Sequence, residues 1–249
     1  MGKLTLIILT LLLVSGACTT SSIDEKPKLI ETDMLDVEPV FEEIDHYSLG
    51  LEQGRLREYK KSINYLTIAI SNGVNLDKAY FYRALSYYNL ALYEYAIIDY
   101  TNAVIVSPNY KEAYFNRGIA HSELENSAES INDYSNAINI DKTYRKAYSY
   151  RAREYYKIQK YEEAKVDLTQ AIYINPEISG SYFYRGLNYQ ILEDYKNAIE
   201  DYTKAIDLDP NYADAYYNRS LVYEILGNSD LEIKDYRMAC SLDQSLCME

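Results

Sequence analysis

The sequence predicts an all-α solenoid built from stacked helical hairpins. Three observations carry that prediction. A short aromatic–arginine–small-residue signature appears as "AYFYRA" at Ala79, "AYFNRG" at Ala113, "AYSYRA" at Ala147, "SYFYRG" at Ser181 and "AYYNRS" at Ala215, each start 34 residues after the last. Between copies, small and large residues alternate at steps of three and four, the spacing of one helical face. Pro108, Pro176 and Pro210 then stand near the close of three of the repeated stretches, where a helix has to stop. A strict period overrides the one or two ordinary domains that 249 residues would otherwise suggest.

With the frame set at Asp77, the blocks are 77–110, 111–144, 145–178, 179–212 and 213–246. The first run of each block carries an aromatic at place four (Tyr80, Tyr114, Tyr148, Tyr182, Tyr216). A small residue follows one turn later (Ala84, Gly118, Ala152, Gly186, Ser220). The second run carries Ala96, Ser130, Ala164 and Ala198, then Tyr100, Tyr134, Leu168 and Tyr202, then Ala103, Ala137, Ala171 and Ala205. Each block therefore reads as two helices around a tight turn. A degenerate first copy fits 43–76, with Gly50, Tyr59, Ser62 and Ala69 in register. One such hairpin cannot bury both faces, so neighbours must stack.

Period, small-residue places and terminal proline together resemble the tetratricopeptide repeat, over about residues 43–246. The resemblance implies a right-handed superhelical solenoid of about six hairpins, with the sixth running over 213–249. It also implies that the first helix of each hairpin lines a concave protein-binding groove. At the family's groove-facing places stand Phe81, Leu85 and Tyr88, then Phe115 and Ile119, then Arg153, Tyr156 and Lys157, then Phe183, Leu187 and Ile191, then Tyr217 and Leu221. Places five and nine could instead pack against the next hairpin. Phe81 and Leu85 occupy places where the family's carboxylate clamp has Lys and Asn, so that clamp is not expected.

Arg83, Arg117, Arg151, Arg185 and Arg219 stand where most tetratricopeptide repeats have Leu. Asp99, Asp133, Asp167, Asp201 and Asp235 each follow by 16 residues. An Arg fork facing a carboxylate on the partner helix satisfies both bidentately, so five structural bridges are expected; a ladder of arginines open to an anionic ligand is the alternative. The two histidines fall at aromatic places of the frame, His46 at place four of the first copy and His121 where tyrosines stand elsewhere, and read as packing substitutions.

The chain's start is of a different character. Lys3 precedes the apolar run Leu4 to Val14, and Ser15, Gly16 and Ala17 precede Cys18. So short a run reads as a cleaved signal rather than a span, which takes about 20 residues. "LVSGAC" resembles the lipobox of bacterial lipoproteins, with Ser15 where that motif usually has Leu. The resemblance implies removal of 1–17, fatty acylation of Cys18 and a lipid-anchored address in the cell envelope, the outer membrane or facing the periplasm in a Gram-negative cell. Residues 18–42, rich in Ser, Thr, Pro and acids without a helical stripe, read as a flexible acidic tether.

Composition narrows the partners. Lys and Arg number 25 against 38 Asp and Glu, a formal charge of −13, which disfavours nucleic acid. A protein or peptide partner with apolar anchors and a basic flank is expected. No metal-ligand cluster, phosphate loop or catalytic constellation stands in register, so neither metal, cofactor nor enzymatic activity is expected. The expected role is a membrane-tethered adaptor, with an assembly factor for envelope machines as the alternative. Repeat arrays of this type usually end in an extra polar helix, and after Leu246 the sequence gives only Cys247, Met248 and Glu249. Cys240 and Cys247 occur only in the last block. In an oxidising compartment they are expected to join, as a similar short-range pair does in Sel1-like repeats. A free Cys240, or an intermolecular bridge through Cys247 making a homodimer across the last hairpin, stays open at this stage.

Overall fold

The computed structural model describes residues 44–247. The signal segment, Cys18 and the tether lie outside the described residues. Twelve α-helices follow one another among the described residues, with no strand between them: α1 His46–Arg55, α2 Tyr59–Ser71, α3 Leu76–Asn89, α4 Tyr93–Val106, α5 Lys111–Glu123, α6 Ser127–Ile140, α7 Arg145–Lys157, α8 Tyr161–Ile174, α9 Ser179–Ile191, α10 Tyr195–Leu208, α11 Ala213–Ile225 and α12 Ser229–Leu242. Consecutive pairs form six hairpins, and each second helix also packs on the first helix of the next hairpin. The degenerate copy is thus a full hairpin, α1 with α2. The fold is an all-α superhelical solenoid.

Each hairpin turns in the same way. Place fifteen is left-handed in all six: Arg57, Ala91, Glu125, Gln159, Glu193 and Gly227, with φ between 56° and 72°. After α3, the Leu92 N–H reaches back to the Tyr87 carbonyl and the Ala91 N–H to Tyr88, the two bonds of a Schellman cap. The same long bond recurs from Asn126 to His121, Lys160 to Tyr155, Asp194 to Tyr189 and Asn228 to Tyr223. Only Gly227 adopts this φ freely. The other five hold it because two orphan carbonyls are satisfied at each turn.

Within a hairpin, the small residue at place eight admits the large one at place twenty-four. Tyr100, Tyr134 and Tyr202 are fully buried there, as is Leu66 in the first hairpin. A Cβ on Gly118 would stand 2.7 Å from Tyr134 Cε1, and one on Gly186 would stand 2.8 Å from Tyr202 Cε1. Backbone and ring are in direct contact at these two positions, which is why no side chain separates them. Each buried ring of this size contributes about 2–3 kcal/mol of apolar transfer.

Between hairpins, the core is aromatic. Phe81 packs on Tyr100 and on Tyr110, Phe115 on Tyr134 and Tyr144, and Phe183 on Tyr202 and Tyr212, with centroid separations of 4.8 to 5.9 Å. The second tyrosine of each trio closes its block at place thirty-four, just before the next first helix. This corrects the expectation for Phe81, Phe115 and Phe183: they are buried interior residues, not groove anchors. Place five points at the seam where the next hairpin begins.

The histidines are interior-facing as well. His46 lies 6.2 Å from the Tyr65 ring on α2. His121 Nε2 is 4.0 Å from Asp133 Oδ2, and burial pulls the His121 pKa below its ordinary value despite that carboxylate.

Candidate protein-binding groove

Five arginine rungs cross the array. Arg83 donates from Nε and Nη2 to the two carboxylate oxygens of Asp99, and Arg117, Arg151, Arg185 and Arg219 do the same to Asp133, Asp167, Asp201 and Asp235. The third nitrogen of each fork is occupied too. Nη1 donates across the seam to a hydroxyl of the preceding hairpin: Thr67, Thr101, Ser135, Thr169 and Thr203, at 2.8 to 3.2 Å. The first four hydroxyls donate in turn to their own helix, four residues back, which fixes their lone pairs toward the arginine. All five aspartates are buried. A guanidinium whose three nitrogens already face partners has little to offer a ligand. Sequence reasoning found the aspartates and missed the hydroxyls, although they too recur every 34 residues.

The remaining groove-facing places line up on α3, α5, α7, α9 and α11. Leu85, Ile119, Leu187 and Leu221 hold place nine, half-buried, with Arg153 taking that place on α7, exposed. Tyr88 and Tyr217 are half-buried; Tyr156 and Ile191 are exposed. The Tyr88 hydroxyl donates to Glu123 Oε1 at 3.0 Å across one seam, and burial, followed by that carboxylate, lifts its pKa to about 12. The seam between α5 and α7 is closed by Glu154, which is 2 % exposed and accepts from Ser122 Oγ, Ser127 Oγ and Lys157 Nζ. Burial pushes that carboxyl up, the three donors pull it down, and the donors prevail.

Pockets open at two of the groove's seams. One pocket of about 480 Å³ lies among α1, α2 and α3, where Gly50, Gly54, Ser62 and Ser86 leave space beneath Tyr82 and Leu85. A second of about 220 Å³ lies between α7 and α9, lined by Arg153, Tyr156, Lys157, Tyr184, Leu187 and Asn188. They occupy the same register three hairpins apart. Asn188 donates to the Tyr184 carbonyl, but its buried Oδ1 has no partner among the described residues, a deficit of about 1–3 kcal/mol for such an atom. α7 sets two cations, Arg153 and Lys157, on the lining of this second pocket, and Lys157 is paired with Glu154.

At the far end, Cys240 in the last turn of α12 and Cys247 beyond the short 3₁₀ turn Gln244–Leu246 are joined by a disulfide, their Cα atoms 5.3 Å apart. Asp243 accepts from the Ser245 N–H and so turns the chain back toward the helix. Among the described residues, no group of three metal-ligating side chains converges, and no helix is long and apolar enough to cross a membrane.

The sequence profile described as "Tetratricopeptide repeat" matches residues 111–144, 146–178 and 213–246, and that described as "TPR repeat" matches 186–227; together they span just over half of the chain. The chain belongs to the tetratricopeptide repeat family. Solved tetratricopeptide proteins share its fold. The crystal structure of MamA superposes with a TM-score of 0.63 at 23 % identity, covering 65 % of this chain and 95 % of that one. The C-terminal part of a repeat protein from Cytophaga hutchinsonii gives 0.70 at 18 % identity over 79 % and 78 %. YrrB, described as having an unusual peptide-binding site, gives 0.63 at 19 % over 73 % and 94 %. At these identities the likeness is one of fold. No curated protein matches the sequence.

Proposed function

We propose that this tetratricopeptide chain is a non-catalytic interaction scaffold, held to a membrane of the cell envelope through a lipidated Cys18, that binds a segment of a partner protein along the first-helix groove. The observation that carries the reading is the pair of open pockets in the groove, in the same repeat register, beside half-buried apolar residues at place nine. Two spaced pockets joined by a line of half-buried apolar residues suit an extended or helical segment with spaced anchors, the mode in which such surfaces recognise peptides. The description of YrrB as a peptide binder is consistent with this use of the fold.

Photo-crosslinking in intact cells tests the groove. A photoreactive residue at Tyr156 or Ile191 is expected to capture a partner that one at Tyr173, 83 % exposed on α8, does not. Equal capture from both faces would overturn the groove assignment. The anchor is tested separately by intact-mass analysis of the mature protein. An acylated Cys18 at the new N-terminus is expected, and a mature chain starting elsewhere without lipid would overturn it.

A further inference from the structure

Arg153 lies at the centre of the apolar row, at the place that holds Leu85, Ile119, Leu187 and Leu221 in other hairpins. Its guanidinium rests over the Tyr150 ring at 5.4 Å and forms no ion pair among the described residues. The five arginines at place seven, by contrast, are locked to aspartates. Lys157, one turn on, engages Glu154 and Ser122 but keeps nearly half of its side chain exposed. Both cations stand on the rim of the pocket between α7 and α9, whose walls are Tyr156, Tyr184 and Leu187. The other open pocket has Arg55 on its lining, in the register of Lys157 and with no ion pair among the described residues.

We infer that the pocket between α7 and α9 takes an apolar side chain of an acidic partner segment, with the carboxylate of a neighbouring Asp or Glu of that segment seated on Arg153. The inference rests on the groove reading above and names its ligand chemistry. An exposed, unpaired guanidinium bordered by an aromatic and an apolar wall is complementary to a carboxylate carried next to an apolar group. An internal carboxylate fits better than a chain terminus. Apolar places continue on both sides of Arg153, through Ile119 and Leu85 in one direction and Leu187 and Leu221 in the other, so a segment ending at the cation would leave half of the row empty.

The test uses the full chain and two libraries of random peptides, one displayed internally, with no free C-terminus, and one displayed with a free C-terminus. The internal library is expected to enrich peptides with Asp or Glu beside Leu, Ile, Phe or Tyr. Arg153→Glu is expected to weaken the enriched peptides by roughly tenfold or more, and Arg153→Lys by much less, with the loss shrinking as salt rises. Because Arg153 is exposed and its one aromatic contact, with Tyr150, is worth about 0.5–1 kcal/mol at an exposed site, both variants are expected to stay within a few degrees of the parent's thermal midpoint, which separates lost binding from lost fold. Enrichment of basic or uncharged peptides, enrichment confined to free C-termini, or binding insensitive to Arg153→Glu would each overturn the inference while leaving the groove in place. Failure of any peptide to enrich would overturn both.

Discussion

Removing the carboxylate of one rung tests the arginine ladder directly. Asp167→Ala deletes both acceptors of Arg151, which donates from Nε and Nη2 at 2.7 Å each, and leaves only the Ser135 hydroxyl at 2.8 Å. The Arg151 and Asp167 side chains are 17 % and 5 % exposed. Taking away one partner of so enclosed a pair costs about 3–5 kcal/mol, because the survivor stays desolvated without its counter-charge. Replacing both with leucine removes the charge problem with the pair, and the double variant is expected to return to within about 1 kcal/mol of the parent. Ser135→Ala removes one hydrogen bond to a charged group and is expected to cost about 1.5–3 kcal/mol or somewhat less, felt at the seam between the third and fourth hairpins. Urea unfolding followed by circular dichroism gives the energies, and hydrogen exchange locates them. A cost below about 1 kcal/mol for Asp167→Ala would refute the reasoning and return the arginines to the role of ligand-facing cations.

Phe183→Ala is expected to destabilise the array by about 3–5 kcal/mol, as loss of a buried ring does, with melting temperature as the readout. Glu154 is held below the ordinary carboxylate pKa in the folded state, so its contribution is present above that ordinary value and fades as pH falls through the folded one. The gap in thermal midpoint between parent and Glu154→Gln is therefore expected to be widest near neutrality and to close at acid pH; a gap that widens in acid would contradict it. Non-reducing peptide mapping of the exported protein is expected to recover a Cys240–Cys247 linked peptide, and reduction to speed hydrogen exchange in α12 without disturbing α3 to α8. Two alkylatable thiols, or a chain doubled in mass, would point to free cysteines or to a bridge between copies.

The parts of this fold that the sequence makes legible are those that recur at a fixed place. Small residues at place eight, large ones at place twenty-four and the Arg and Asp of each rung all repeat, so the helices could be laid out, and each Arg matched to its Asp, before any coordinates. Two kinds of fact were harder to reach. Phe81, Phe115 and Phe183 lie on the same helical stripe as the groove residues, and a 3.6-residue period cannot tell which edge of a stripe meets the next hairpin. Tyr110, Tyr144 and Tyr212, waiting at place thirty-four, were the available signal. The open pockets depend on what is missing from particular hairpins, such as the side chain that Gly54 lacks. The cationic centre was hidden by an overall charge of −13, a sum that says nothing about where one helix places its lysines and arginines.

The rungs also constrain how such a chain can change its length. Each arginine joins an aspartate in its own hairpin to a hydroxyl in the one before, so the bonded unit straddles the boundary of the written repeat. Duplicating or deleting one whole 34-residue block within 77–212 leaves every rung with a donor and both acceptors, because all three members recur there at the same interval. Inserting or removing a single residue within a helix instead rotates one member out of line by about 100° and opens the rung at that seam. Evolution and engineering therefore share one permissible step size in this molecule, and a longer or shorter groove can be had only by counting in whole hairpins.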